Sequence, residues 1–154
     1  MPAPQTLSRF LAQAQKTVGL QGEVTVLLTG DATMRDLNRR FRGQDKPTDV
    51  LSFPVSNLVQ DRKNKEKGDL AISVETARRQ AAEQGHALTC ELKILILHGL
   101  LHLAGHDHET DAGEMQRCER RLRARFGLPP GLIERAGSES ASRQAGRSAQ
   151  RRNP

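Results

Sequence analysis

A single α+β domain is predicted by three observations on this chain. Its 154 residues, 36% of them hydrophobic and 27% charged, are the length and balance of one domain able to bury a core. Five segments repeat their apolar residues at helical spacing, and three read as short strands set between them. One helical segment, LTCELKILILHGLLHLAG, is apolar around so much of its circumference that it is the central buried helix, with the rest of the chain packed around it.

The elements follow in order. TLSRFLAQAQKTVGL sets Leu7, Phe10, Leu11, Ala14 and Val18 on one helix face, with Thr6 as the expected cap and Gly19 as the stop. EVTVLLTG alternates with β-branched residues and is expected to end in a turn at Gly30-Asp31. Ala32 to Phe41 resumes a helix through Met34, Leu37 and Phe41. RGQDKPTDV then breaks it with Gly43 and Pro47 ahead of a short strand, VLSF. Residues Pro54 to Lys67 are polar and aperiodic, an expected exposed loop, and GDLAIS is the next strand. Ser73 is placed to cap the helix VETARRQAAEQG. After the apolar helix, Thr110 or Asp111 is expected to start a last amphipathic helix through Met115, Cys118, Leu122 and Phe126, ended by GLPPG. No internal repeat is present.

Composition narrows the function classes. No apolar run approaches the roughly 20 residues needed to cross a bilayer, and MPAPQTLSRF has neither the basic nor the apolar region of an export signal, so a cytoplasmic protein without membrane contact is expected. Cys90 and Cys118 stand singly in helical segments, which suggests reduced thiols rather than a disulfide. The net charge of +6 favours a polyanionic partner. From Gly137 to Pro154 four arginines face one glutamate, an excess of +3 and half of the total. That stretch carries no bulky apolar residue, so the expected division is a folded domain over residues 1–136 and a basic, disordered tail over 137–154.

The stretch HGLLHLAGHDHE concentrates four of the five histidines. At about 100° per residue, His98 and His102 lie only about 40° apart on one helix face, the arrangement by which two imidazoles grip one metal ion. On a continuing helix His108 would point about 240° away from His102, so it joins the pair only if the chain leaves the helix at Gly105, where glycine can take the left-handed conformation that closes one. If the helix ran on instead, His106, at i+8 from His98, would face the metal. The spacing HxxxHxxGxxH is also that of the metzincin proteases, which carry a general-base glutamate directly after the first histidine. Here that position is Gly99, so the metal geometry fits and the protease chemistry does not.

HGLLHLAGHDHE together with FRGQDKPTDVLSFP resembles the YbeY family of bacterial single-strand-specific endoribonucleases and ribosomal RNA maturation factors. GDLAIS resembles the strand the family places between them. The resemblance covers roughly Leu7 to Phe126. It implies an α+β fold with a small mixed sheet packed against helices. It also implies a metal triad of His98, His102 and His108, and a characteristic arginine at Arg42. Residue 106 is usually tyrosine in that family and is His106 here. The resemblance further implies action near the 3′ end of small-subunit ribosomal RNA, and partners among the small ribosomal subunit, ribosomal proteins and assembly GTPases.

The chemistry can be built on the same residues. One divalent metal held by three neutral imidazoles keeps a position open and lowers the pKa of bound water to about 7, supplying hydroxide at neutral pH. Zinc suits such a set best, though nickel, cobalt and copper also accept it. Negative charge building on an attacked phosphodiester can be met by a guanidinium, and Arg42, expected on the loop between helix and strand, is the candidate; a plain surface salt bridge is its alternative. Asp49, Asp107 and Glu109 are carboxylates in reach of such roles in sequence, with no role assigned. With 3% aromatic residues, all of them Phe, few platforms exist for stacking bases, so backbone charge is expected to dominate the binding of single-stranded RNA. Two other readings use the same residues: a ribosome-assembly factor with a structural metal, and a peptidase-like hydrolase.

Overall fold

The computed structural model describes residues 1–54, 66–106 and 111–129. In chain order these form α1 (Pro4–Val18), β1 (Glu23–Thr29), α2 (Asp31–Arg42), β2 (Val50–Pro54), β3 (Glu66–Ser73), α3 (Val74–Gln84), α4 (Leu88–Leu103) and α5 (Glu114–Arg125). The three strands make one sheet in the order β1-β3-β2. β1 runs parallel to β3, with Leu27 opposite Ala71, and β2 runs antiparallel to it, with Val50 opposite Ile72. The sheet is therefore mixed, and the α+β class expected from the sequence is what the chain adopts.

Alternation along the strands divides the core. Val50, Leu70 and Ile72 point to the face covered by α4 and join its Leu92, Leu95, Ile96 and Leu100 in the main cluster, with α1, α3 and α5 closing around it. Leu51 and Ala71 point the other way, against Met34 of α2. α4 is buried on nearly all sides, as its unbroken apolarity requires. Gly99 lets it lie close on β3: a Cβ there would stand 2.7 Å from Leu70 Cδ2.

Several boundaries differ from the sequence reading. Thr6 does not cap α1, which begins with Pro4 after Ala3; proline gives up an N–H that has no partner in a first turn anyway. Gly30 ends β1 and directly precedes α2, with no intervening turn. Arg42 is the last residue of α2 rather than part of the following loop, because the left-handed turn that stops the helix falls at Gly43, with φ 70°. β2 takes in Pro54 and β3 starts at Glu66, so the expected loop loses residues at both ends; 55–65 lie outside the described residues. α5 starts at Glu114, later than Thr110 or Asp111. The Asp111 carboxylate accepts from the N–H groups of Gly113 (2.8 Å) and Met115 (2.9 Å), holding the chain in a turn before the helix begins. Ser73 caps α3 as expected, its Oγ accepting from Thr76 N–H at 3.1 Å. The tail beyond Pro129 lies outside the described residues.

Where α2 and α3 both begin, Asp31 ties the two together. Its carboxylate accepts from Ser73 Oγ and Thr76 Oγ1, each at 2.6 Å, and from Arg79 Nη2 at 2.8 Å. Burial pushes the Asp31 pKa up, but the bonds from Ser73, Thr76 and Arg79 outweigh it and hold the group below the usual carboxylate range. A lowered folded pKa means that this stabilisation is present above the unfolded value and fades as pH falls through the folded one. Asp31→Asn is expected to cost about 1–2 kcal/mol at neutral pH and to flatten the loss of stability on acidification. Urea unfolding of both proteins across the acid range measures it, and equal stability at neutral pH would remove the cluster from the fold's energetics.

Candidate metal centre

Two of the expected ligands come together on the last turns of α4. His98 is buried and His102 partly so, with ring centroids 4.7 Å apart and their Nε2 atoms 3.1 Å from each other. Each ring is fixed by its other nitrogen. His98 Nδ1 donates to Glu119 Oε2 at 2.8 Å, and His102 Nδ1 donates to the His106 carbonyl at 3.1 Å. A carbonyl and a carboxylate accept only, so in the neutral rings both protons sit on Nδ1 and both Nε2 lone pairs point into the same small space. Two lone pairs at that separation repel unless a cation lies between them.

The donor set fits a divalent cation. Nitrogens each about 2.0–2.1 Å from a tetrahedral zinc stand roughly 3.3 Å apart, close to the 3.1 Å here. A carboxylate behind one imidazole and a carbonyl behind the other are the usual supports of metal-bound histidine. Among the described residues no group of three or more His, Cys, Asp or Glu side chains could hold a metal. His108, expected as the third ligand, lies outside them, as do Asp107 and Glu109.

The end of α4 decides between the two arrangements open from the spacing. Gly105 N–H bonds to the His102 carbonyl at 3.0 Å and His106 N–H to that of Leu101 at 3.1 Å, a left-handed closing turn with Gly105 at φ 97°. Among the described residues nothing crowds Gly105, and its left-handed conformation is what favours glycine there. The helix stops at Leu103, and the register that would have carried His106 round to the His98 face is not realised. His106 contributes instead through its main chain.

Arg42 is connected to α4 through β2. Its Nη2 donates to the Ser52 carbonyl at 3.2 Å, while Ser52 Oγ donates to the carbonyl of Gly99, next to His98, at 3.3 Å. Ser52 thus links the guanidinium to the histidine helix. Arg42 makes this bond to a main-chain oxygen rather than the surface salt bridge weighed for it, and the bond leaves other N–H groups for a ligand. Asp49 is buried, and its carboxylate accepts from Val50 N–H at 2.8 Å and Gln80 Nε2 at 3.1 Å, anchoring β2 to α3.

Glu119 and Ser52 escaped the sequence reading. For Glu119 a signal existed: it sits between Met115 and Leu122 on the apolar face of α5, where a carboxylate has to find a buried partner. Ser52 carried none, since its contacts are with residues far along the chain.

Fold and site together define a class, small α+β proteins that present a supported histidine pair from a buried helix. Residues 3–127 match the family described as Endoribonuclease YbeY. A protein named Endoribonuclease YbeY from Koribacter versatilis is 55% identical over 131 residues, covering 85% of this chain and 82% of its own. One of the same name from Solibacter usitatus is 50% identical over 141 residues, 88% of this chain and 91% of its own. A solution structure from Thermotoga maritima superposes with a TM-score of 0.53 at 31% identity, over 76% of each chain. The chain belongs to the YbeY endoribonuclease family.

Proposed function

We propose that this protein is a metal-dependent endoribonuclease that cleaves single-stranded RNA in the cytoplasm. Its work is the maturation of the 3′ end of small-subunit ribosomal RNA and ribosome quality control, with the small subunit and an associated ribosomal protein or assembly GTPase as partners. The observation that carries the metal is the pair of Nε2 lone pairs held face to face with both Nδ1 protons committed elsewhere.

In this reading His98, His102 and His108 hold one divalent cation, zinc being the best suited. When bound, such a cation supplies Lewis acidity and a source of hydroxide at neutral pH. The residues do the rest. Glu119 and the His106 carbonyl lock the two rings in the tautomer that offers Nε2. Arg42 meets the negative charge that grows on the phosphoryl oxygens, with its position set by Ser52. Gly99, pressed against Leu70, leaves no room for the glutamate a metzincin-type peptidase needs, which disfavours peptide hydrolysis.

The test is cleavage of a single-stranded RNA by zinc-loaded protein, with chelated protein and a peptide substrate alongside. RNA cleavage lost on chelation supports the proposal; RNA bound but never cleaved would favour an assembly factor with a structural metal. Glu119 offers a finer check. Glu119→Gln keeps the shape and removes the charge behind His98, so zinc affinity is expected to fall about tenfold to a hundredfold, read by competition with a chromophoric chelator. Unchanged affinity would leave Glu119 a packing residue only.

A further inference from the structure

Of the chain's four phenylalanines only Phe41 is exposed, at 58%. It lies next to Arg42 in the last turn of α2, and its ring meets that of Phe53 edge to face, with centroids 5.3 Å apart. The Arg40 guanidinium stands 5.6 Å from the Phe41 ring centre on one face. Phe53 follows Ser52, so the two residues that hold Phe41 and Arg42 in place are neighbours on β2, and Ser52 is bonded to the histidine helix.

Charge points the same way. Residues 35–46 hold Arg35, Arg39, Arg40, Arg42 and Lys46 against Asp36 and Asp45, an excess of +3. α5 carries an equal excess, with five arginines against Glu114 and Glu119, but it bears no exposed aromatic ring. The local acids do not cancel the patch: Asp45 pairs with Arg35, and Asp36 is shared by Arg39 and Arg40. An exposed aromatic ring within a net positive segment, tied through one serine to the histidine helix, has the two features that hold single strands, a stacking face and cations for the backbone.

We infer that Phe41 is a stacking platform for one unpaired base of a single-stranded RNA whose backbone is held by the arginines of α2. The inference deepens the reading of this chain as an RNA nuclease and rests on it. The base stacks on the solvent-exposed part of the ring, and stacking tolerates any base while favouring purines, which have the larger π surface. It adds one stacked position to the backbone charge that is expected to dominate binding.

The chain contains no Trp or Tyr, so Phe41→Trp places a unique fluorophore at the site. Titrating the full-length variant with a cleavage-resistant phosphorothioate oligoadenylate is expected to quench that fluorescence, whereas polyphosphate, which has charge and no bases, leaves it unquenched. Phe41→Leu keeps an apolar side chain and removes the π face. Its affinity for the oligoadenylate is expected to fall about tenfold, with melting temperature and the salt dependence of binding unchanged. An oligomer with abasic sites is expected to bind wild type and Phe41→Leu equally. Oligoadenylate binding that is identical in wild type and Phe41→Leu, with no quenching in the Trp variant, would overturn the stacking role alone. Wild type that binds no single-stranded RNA at all would overturn the nuclease reading and this inference with it.

Discussion

Protein carrying His108→Ala is expected to lose its bound divalent metal and, with it, RNA cleavage, while His106→Ala retains most of both. Because the helix closes at Gly105, the His106 side chain is not carried round to the face that His98 and His102 share. What residue 106 provides is a carbonyl for His102 Nδ1, and alanine provides the same carbonyl. Two imidazoles leave a zinc short of the three protein ligands usual in catalytic sites, so a further donor is needed, and His108 is the remaining histidine of the cluster. Zinc content of the two purified variants, with melting temperatures to confirm folding, decides the matter. Metal lost from His106→Ala and kept by His108→Ala would reverse the assignment.

A loss of about two orders of magnitude in cleavage rate is expected for Arg42→Ala, with fold and metal content intact. Arg42 is exposed, and its bond is to a main-chain carbonyl rather than to a buried side chain, so truncation leaves no uncompensated charge inside the protein. The rate falls because a donor aimed at charge that develops only in the transition state is removed, which is why RNA affinity should change much less. Arg42→Lys should recover part of the rate: an ammonium keeps the charge but cannot bond Ser52 and a phosphate through one rigid plane. Single-turnover cleavage by wild type and both variants at matched zinc occupancy is the measurement. Equal rates would take Arg42 out of the chemistry and shift weight to a protein that works by binding RNA.

These two expectations differ in how far they were legible beforehand. The i, i+4 pair of His98 and His102 follows from helical periodicity alone, since an α-helix sets the angle between such residues without help from the rest of the fold. The role of Glu119 in holding one of those rings depends on α5 packing against α4, and helices distant in sequence meet at angles that no local pattern specifies. The same holds for Arg42. Its link to the histidine helix comes from Ser52, which bridges β2 to α4 across 47 positions of sequence.

By itself the sequence determined the three strands and five helices, the buried character of α4, the cap at Ser73 and the family motifs. Each is local, a matter of periodicity, backbone freedom or side-chain chemistry within a few residues. Helix starts were less legible where proline or an aspartate turn competed with the cap, as at Pro4 and Asp111. Only the tertiary structure decided the order β1-β3-β2, the split of the core between the α4 and α2 faces, and the supports of the histidine pair. It also decided that Phe41 stays exposed on a periodic apolar position: α2 packs on the sheet through Met34 and Leu37, while Phe41 one turn further on meets the Phe53 ring edge to face and keeps most of its surface in solvent. Periodicity states which residues share a face; how much of that face finds a partner depends on where the neighbouring element ends.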